Sequence, residues 1–136
     1  MRSGTPSVRR AILAVLSAWH GLAAAKNVCD LCAAFDLVPG AAAFGSKNFA
    51  AIEKLLAPLR LPRPAIGLLL TAVVGAETAI ALAFARDDEL GFALGILLFG
   101  SFALVDEAMV DYALDETHRD ILMMLLVAYL ATREPA

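Results

Sequence analysis

Residues 65–85 constrain this chain more than any other segment, because only Glu77 carries a charge among them. A helix of about 20 residues rises roughly 30 Å, the thickness of the hydrocarbon core of a bilayer. The rest of the chain is also apolar, with a mean hydropathy of +0.74 and 18% charged residues. Soluble domains have about 25% charged residues. We therefore predict an integral membrane protein without a soluble domain.

Three other apolar segments predict three more spans. The turns between the last three segments are short and polar, so each of these helices should be antiparallel to the next. The fold class that we expect is all-α, and the 136 residues form a single membrane domain. It is a four-helix transmembrane bundle with spans at residues 8–28, 65–85, 90–110 and 116–132.

The long connection between the first two spans contains an amphipathic segment. Between residues 46 and 59, apolar side chains recur every three or four positions and charged side chains take the other side. This pattern predicts a helix that lies on the membrane surface. The fold therefore includes an interfacial amphipathic helix in the first connection.

Charge at the N terminus bears on topology and location. Arg9 and Arg10 abut the first apolar segment, which favours a cytoplasmic N terminus, and four spans return the C terminus to the same side. The first connection, on the opposite side, carries five basic residues that nearly cancel this preference: Lys26, Lys47, Lys54, Arg60 and Arg63. Because Arg9 and Arg10 lie next to the first helix, we expect both termini in the cytoplasm and a multi-pass protein of the bacterial cytoplasmic (inner) membrane. An alternative interpretation of the first segment is a signal peptide cleaved after the small residues 23–25, which would leave three spans.

Glu77 is the most informative single residue. It lies near the middle of its span, where an ionised carboxylate is costly unless it is paired or faces water. We interpret it as a proton, cation or ligand site, or alternatively as a protonated side chain that bonds to another helix or subunit. The third span ends in two more acidic residues, and the predicted intramembrane polar site comprises Glu77, Glu107 and Asp106.

Two histidines and several carboxylates are candidates for a divalent metal site. They are His20, Asp111, His118 and Asp120, which fit no defined metal motif. The alternative is that these residues form solvated helix ends. The sequence indicates no particular cofactor.

Cys29 and Cys32 have the C-x-x-C spacing of thiol redox motifs and form a candidate redox pair. Membrane thiol oxidases usually relay electrons through a second pair, whereas this chain has two cysteines in total. An inert pair is the alternative.

The order of these features resembles a bacterial family of predicted small four-span integral membrane proteins of unknown function. The matching residues are Asn27, Asp30, Glu77, the run 91–100 and Glu107. This resemblance implies four spans and no particular activity. In topology and in its cysteine pair, the chain also resembles a small four-span family linked to thiol redox and respiratory accessory roles.

Three functional hypotheses follow. The leading one is a non-catalytic accessory subunit of a larger membrane complex, with other membrane subunits or further copies of itself as partners besides the lipid bilayer. The alternatives are a proton or cation carrier or channel that uses Glu77, and a membrane thiol oxidoreductase that uses Cys29 and Cys32. Catalytic motifs are incomplete, so an enzyme is the less favoured class, and the lack of a basic surface argues against nucleic acid.

Overall fold

The computed structural model of the chain describes residues 5–109 and 112–133. Within these residues every regular element is helical. The five α-helices are α1 (Thr5–Ala34), α2 (Asn48–Leu55), α3 (Arg63–Ala85), α4 (Leu90–Met109) and α5 (Tyr112–Thr132). Two short 3-10 helices, Ala41–Ala43 and Ala57–Leu59, flank α2.

Three of the helices are long and apolar enough to cross a membrane: Val8–Ala34, Arg63–Ala85 and Leu90–Met109. The sequence predicted these three, although α1 continues six residues past the predicted end of the first span. Helix α5 has 21 residues, but its first half carries Glu116, Arg119 and Asp120. Those charges distinguish α5 from the other three.

Helices α1 and α3 pack antiparallel along most of their length. At one end, Arg9 forms an ion pair with Asp87 at 2.9 Å. At the other end, a Cβ on Gly67 would lie 2.8 Å from the Phe35 ring. We call the first end, which holds the start of α1 and the α3–α4 turn, the terminal side. The opposite end, which holds residues 35–62, is the connection side.

Helices α4 and α5 form a second antiparallel pair. Phe92 near the start of α4 contacts Tyr129 near the end of α5, with ring centroids 5.4 Å apart. Leu125 packs closely against Gly95, because its nearest side-chain carbon would be 3.0 Å from a Cβ at that glycine. The two helix pairs share one apolar core, which is composed of Leu13, Leu16, Ile80, Phe84, Phe92, Phe99 and Leu125.

The connection differs from its prediction. The predicted helix over residues 46–59 is shorter in the structure, because α2 ends at Leu55 and a 3-10 turn containing Pro58 follows. Phe49 of α2 is buried with Ile66 and Leu70 of α3. Part of the apolar face of α2 therefore packs against the bundle itself.

Large apolar side chains also cover the outer faces of the bundle. Each long helix contributes to this surface, with exposed fractions of 67% for Val15, 72% for Leu68, 70% for Leu97 and 68% for Leu130. Water is a poor solvent for such a surface, whereas lipid chains match it. The outer surface thus agrees with the three membrane-crossing helices.

Candidate functional site

The inner face of α1 carries a row of polar side chains. Its buried positions are 13, 16, 20, 24, 27 and 30, which follow the three- and four-residue spacing of one helix face. His20, Asn27 and Asp30 occupy three of these positions, and their exposed fractions are 1%, 1% and 6%. Helix periodicity thus directs all three side chains into the bundle.

Glu77 faces the same interior from α3. It is 5% exposed, and the Asn27 side-chain amide donates a hydrogen bond to Glu77 Oε2 at 2.9 Å. A buried carboxylate oxygen without a partner would be costly. The partner that satisfies Glu77 is therefore a neutral amide of its own chain.

Asp30 holds the beginning of α2. Its carboxylate accepts hydrogen bonds from the backbone N–H groups of Lys47 at 2.9 Å and Asn48 at 2.6 Å. The Ser46 hydroxyl lies 2.7 Å from Asp30 Oδ2. The first N–H groups of a helix have no partner within the helix and favour negative charge. Asp30, which belongs to α1, supplies both a hydrogen-bond acceptor and a negative charge to the start of α2.

Asn27 joins these two groups. Its Oδ1 accepts a hydrogen bond from the Asn48 side-chain amide at 2.8 Å and lies 3.1 Å from the Ser46 hydroxyl. Asn27 thus touches Glu77 through its nitrogen and the connection through its oxygen. We call Asn27, Asp30, Ser46, Asn48 and Glu77 the Asn27 network.

Gly45 makes room for this network. A Cβ at Gly45 would lie 2.1 Å from Asp30 Oδ1. Because that oxygen is held by the Lys47 N–H, any larger residue would push the carboxylate away from α2.

A second polar contact joins α4 and α5. Asp106 is 1% exposed, and one of its carboxylate oxygens bonds to His118 Nδ1. The structure thus brings Asp106 of the predicted intramembrane site together with His118, one of the metal candidates. Glu107, the third carboxylate predicted for the intramembrane site, is exposed and does not join it.

His20 lies among aromatic rings. Its ring centroid is 4.9 Å from that of Trp19, 5.9 Å from Phe84 and 5.8 Å from Phe99. Within the described part of the chain, neither of its ring nitrogens has a hydrogen-bond partner. Leaving a buried polar group unsatisfied costs about 1–3 kcal/mol.

The metal candidates do not converge in the structure. Among residues 5–109 and 112–133, no three His, Cys, Asp or Glu side chains are grouped so that they could hold a metal ion. His20 and His118 both contact the Phe99 ring, Asp120 is exposed, and Asp111 lies outside the described residues. The geometry thus gives no support to a metal site there.

Cys29 and Cys32 are free thiols, both half-buried on α1. They flank Asp30 in sequence, one turn of helix apart. The redox hypothesis for Cys29 and Cys32 stays a prediction.

Sequence reasoning missed Ser46 and Asn48. The only signal for them was that small polar residues precede the amphipathic helix, which is typical of helix starts. That signal points to local capping, whereas here both side chains bond to α1.

Comparisons of the chain with protein-family models, curated proteins and solved structures found no match. The resemblance to the four-span family therefore stays a prediction.

Proposed function

We propose that this chain is a four-span protein of the bacterial cytoplasmic membrane that conducts or carries protons through Glu77. Helix α5 supplies the fourth span in this proposal. The supporting observation is its outer face, where Met123, Val127 and Leu130 are 58%, 60% and 68% exposed. Four spans place both termini on the terminal side, which we assign to the cytoplasm because of Arg9 and Arg10.

The contact between Asn27 and Glu77 carries the functional proposal. Glu77 lies 14 residues after Arg63 and eight before Ala85, or about 21 Å and 12 Å along the helix axis. A carboxyl group at that depth typically marks the path of an ion or a proton. No Lys, Arg or His forms an ion pair with Glu77 in the described chain. Uptake of a proton is thus the direct way to remove its charge.

The polar row on α1 extends from Glu77 toward both ends of the bundle. Asp30 and Ser46 lie toward the connection side, whereas His20 and Ser17 lie toward the terminal side. From residue 17 to residue 30 the helix rises about 20 Å, two thirds of the hydrocarbon thickness. His20 contributes to this row two ring nitrogens that have no partner in the described chain.

The proton fits the site better than a metal cation does. Ca²⁺ and Mg²⁺ in proteins take six or more oxygen ligands, whereas Zn²⁺ takes about four ligands from Cys, His and carboxylate side chains. Glu77 instead has one amide partner in the described chain, and no three acidic, His or Cys side chains there are grouped so that they could hold a metal ion.

Proton flux into liposomes tests this function. The purified protein is reconstituted with a pH-sensitive dye inside, and a potassium diffusion potential drives protons inward. We expect flux above that of empty liposomes for the wild type and its loss in Glu77→Gln. Gln can still accept the hydrogen bond from Asn27, so the fold is retained. Glu107→Gln is the matched control, because it removes the same charge from an exposed position.

Two results would refute the proposal. One is wild-type flux no greater than that of empty liposomes. The other is equal flux in the wild type and Glu77→Gln, with both variants folded.

A second candidate function is an accessory subunit of a larger membrane complex. Thr71, Gly75 and Ala79 lie four residues apart on an exposed face of α3, and a Cβ at Gly75 would meet no atom within 4 Å. Small residues in such a row let a second helix approach closely. Native mass spectrometry of the protein extracted from its own membrane tests this idea. A heteromer that Gly75→Leu dissociates would support it, and a lone chain would count against it.

A further inference from the structure

We propose that the groove between α1 and α3 on the terminal side binds the headgroup and upper acyl chains of one anionic phospholipid. The groove has a volume of about 600 Å³, within the range of about 300–1,000 Å³ of small-ligand sites. It is separate from the Asn27 network, and the proposal does not depend on proton transport.

Two arginines at the mouth of the groove provide the charge. Arg10 of α1 and Arg86, at the end of α3, both line it. Neither guanidinium has an ion pair or hydrogen bond within the described residues. The third charged residue of the lining is Asp87, and Arg9 neutralises it. Asp88 and Glu89 follow in the same turn but do not line the groove. The mouth itself therefore presents two guanidinium groups without an ion pair, which a phosphodiester would bind.

The wall below the arginines is mainly apolar. It is formed by Leu13, Ala14 and Ala18 on α1 and by Phe84 and Ala85 on α3. Its polar side chain, Ser17, donates its hydroxyl to the Ala81 carbonyl oxygen at 2.8 Å. From residue 10 to residue 18 the helix rises about 12 Å, enough for a glycerol backbone and the first methylene groups of a chain. A free inorganic anion would leave this wall without a partner, whereas an amphiphile with an anionic head matches both parts.

The position of the groove in the membrane agrees with this occupant. The two arginines lie at the ends of apolar helices, at the level where headgroups meet the hydrocarbon. In the proposed orientation this end faces the cytoplasmic leaflet, whose anionic phospholipids attract basic residues. The small side chains of Ala14 and Ala18 leave room for an acyl chain against α1.

Lipid titration monitored by native mass spectrometry tests the proposal. The full-length protein in neutral detergent is titrated with phosphatidylglycerol and, separately, with phosphatidylcholine. We expect one phosphatidylglycerol to bind preferentially. Each arginine near a membrane surface contributes to anionic-lipid binding, so Arg10→Gln and Arg86→Gln should each weaken binding roughly fivefold, and the double variant about 30-fold. The matched control is Arg60→Gln, an exposed arginine on the connection side, which should bind as the wild type does.

A second variant tests the apolar wall without touching the charges. Ala18→Leu should fill the groove and weaken phosphatidylglycerol binding, whereas Ala25→Leu, an exposed position of α1 outside the groove, should not. Because both alanines are exposed, neither substitution disturbs the core, and thermal unfolding without lipid confirms that each variant folds.

Three outcomes would overturn the proposal. The first is equal binding of the two lipids. The second is an equal loss in Arg60→Gln and in the groove variants. The third is displacement of the lipid by inorganic phosphate at equal concentration together with full binding in Ala18→Leu, which would indicate a site for a free anion.

Discussion

The side-chain N–H of Asn27 donates a hydrogen bond to Glu77 Oε2 at 2.9 Å, and the two residues are 50 positions apart in the chain. The same amide group accepts a hydrogen bond from Asn48. Among the residues that the structure describes, Asn27 is thus the one that bonds both to Glu77 of α3 and to the connection. Its removal should affect the two regions together.

The first prediction concerns the strength of the Asn27 network. Asn27→Ala would leave Glu77 Oε2 and the Asn48 amide without partners, and should lower the free energy of unfolding by about 1–3 kcal/mol. Denaturation in detergent, followed by the fluorescence of the single tryptophan, Trp19, measures it. Lys26→Ala is the control, because Lys26 is the exposed neighbour of Asn27. Equal stability of the two variants would show that the network contributes nothing.

The second prediction concerns Gly45. Gly45→Ala should displace the Asp30 carboxylate from the backbone N–H groups of Lys47 and Asn48, because the new Cβ would lie 2.1 Å from Asp30 Oδ1. Overpacking of this kind costs about 1–3 kcal/mol. Limited proteolysis should then cut residues 35–62 faster than in the wild type.

Gly21→Ala is the matched control for that experiment. It adds the same methyl group where no atom lies within 4 Å, and alanine is the better helix former by about 1 kcal/mol. Its proteolysis pattern should be that of the wild type. Faster cleavage in Gly21→Ala, or an unchanged pattern in Gly45→Ala, would contradict the assigned packing.

The third prediction is a coupling between Asp106 and His118. Because their side chains bond to each other, the effects of Asp106→Asn and His118→Gln on unfolding should not add. Residues in direct contact show coupling energies of about 0.5–3 kcal/mol, which a double-mutant cycle measures. Glu107→Gln combined with His118→Gln should show additive effects, since Glu107 is exposed. Additive effects in both cycles would mean that the hydrogen bond between Asp106 and His118 contributes no coupling energy.

The fourth prediction concerns orientation. In a background where Cys29 and Cys32 are serines, Phe44→Cys lies on the connection side and Glu89→Cys in the α3–α4 turn of the terminal side, both at exposed positions. If the N terminus is cytoplasmic, a membrane-impermeant maleimide added to intact cells should label position 44 only. Labelling of position 89 alone would reverse the orientation, and labelling of both would refute the four-span arrangement.

Sequence alone predicted the apolar helices well and their mutual contacts poorly. The span predicted at residues 65–85 differs from helix Arg63–Ala85 by two residues at its start. The agreement is close because a long apolar run is a strong signal in the sequence. Asp106 and His118 lie on either side of the short turn predicted between the last two spans, and a short turn fixes which ends of two helices meet. The bond from Asn27 to Glu77 depends instead on the register between α1 and α3, which no local periodicity encodes.

The adjacent acids Asp106 and Glu107 also show that the sequence alone does not determine which side chain faces the interior. Neighbouring residues on a helix point about 100° apart, so only one of them can face the interior. Which one does so depends on the rotation of α4 against α5, and the structure assigns the interior to Asp106. Asp30 likewise caps a helix that begins 18 positions later, a relationship that no capping pattern in the sequence describes.

The pairing of α1 with α3 has a consequence for how the protein is made. When Asn27 is synthesised, the group that accepts its side-chain N–H has not yet been made. Glu77 follows Asn27 by 50 residues, which at synthesis rates of about 5–20 residues per second corresponds to roughly 3–10 seconds. Residues 46–48, which bond to Asp30 and to Asn27 Oδ1, are made earlier, so α3 supplies the last partner of this polar face. If α1 stays beside the insertion machinery until α3 arrives, this N–H group is not exposed to lipid without a partner.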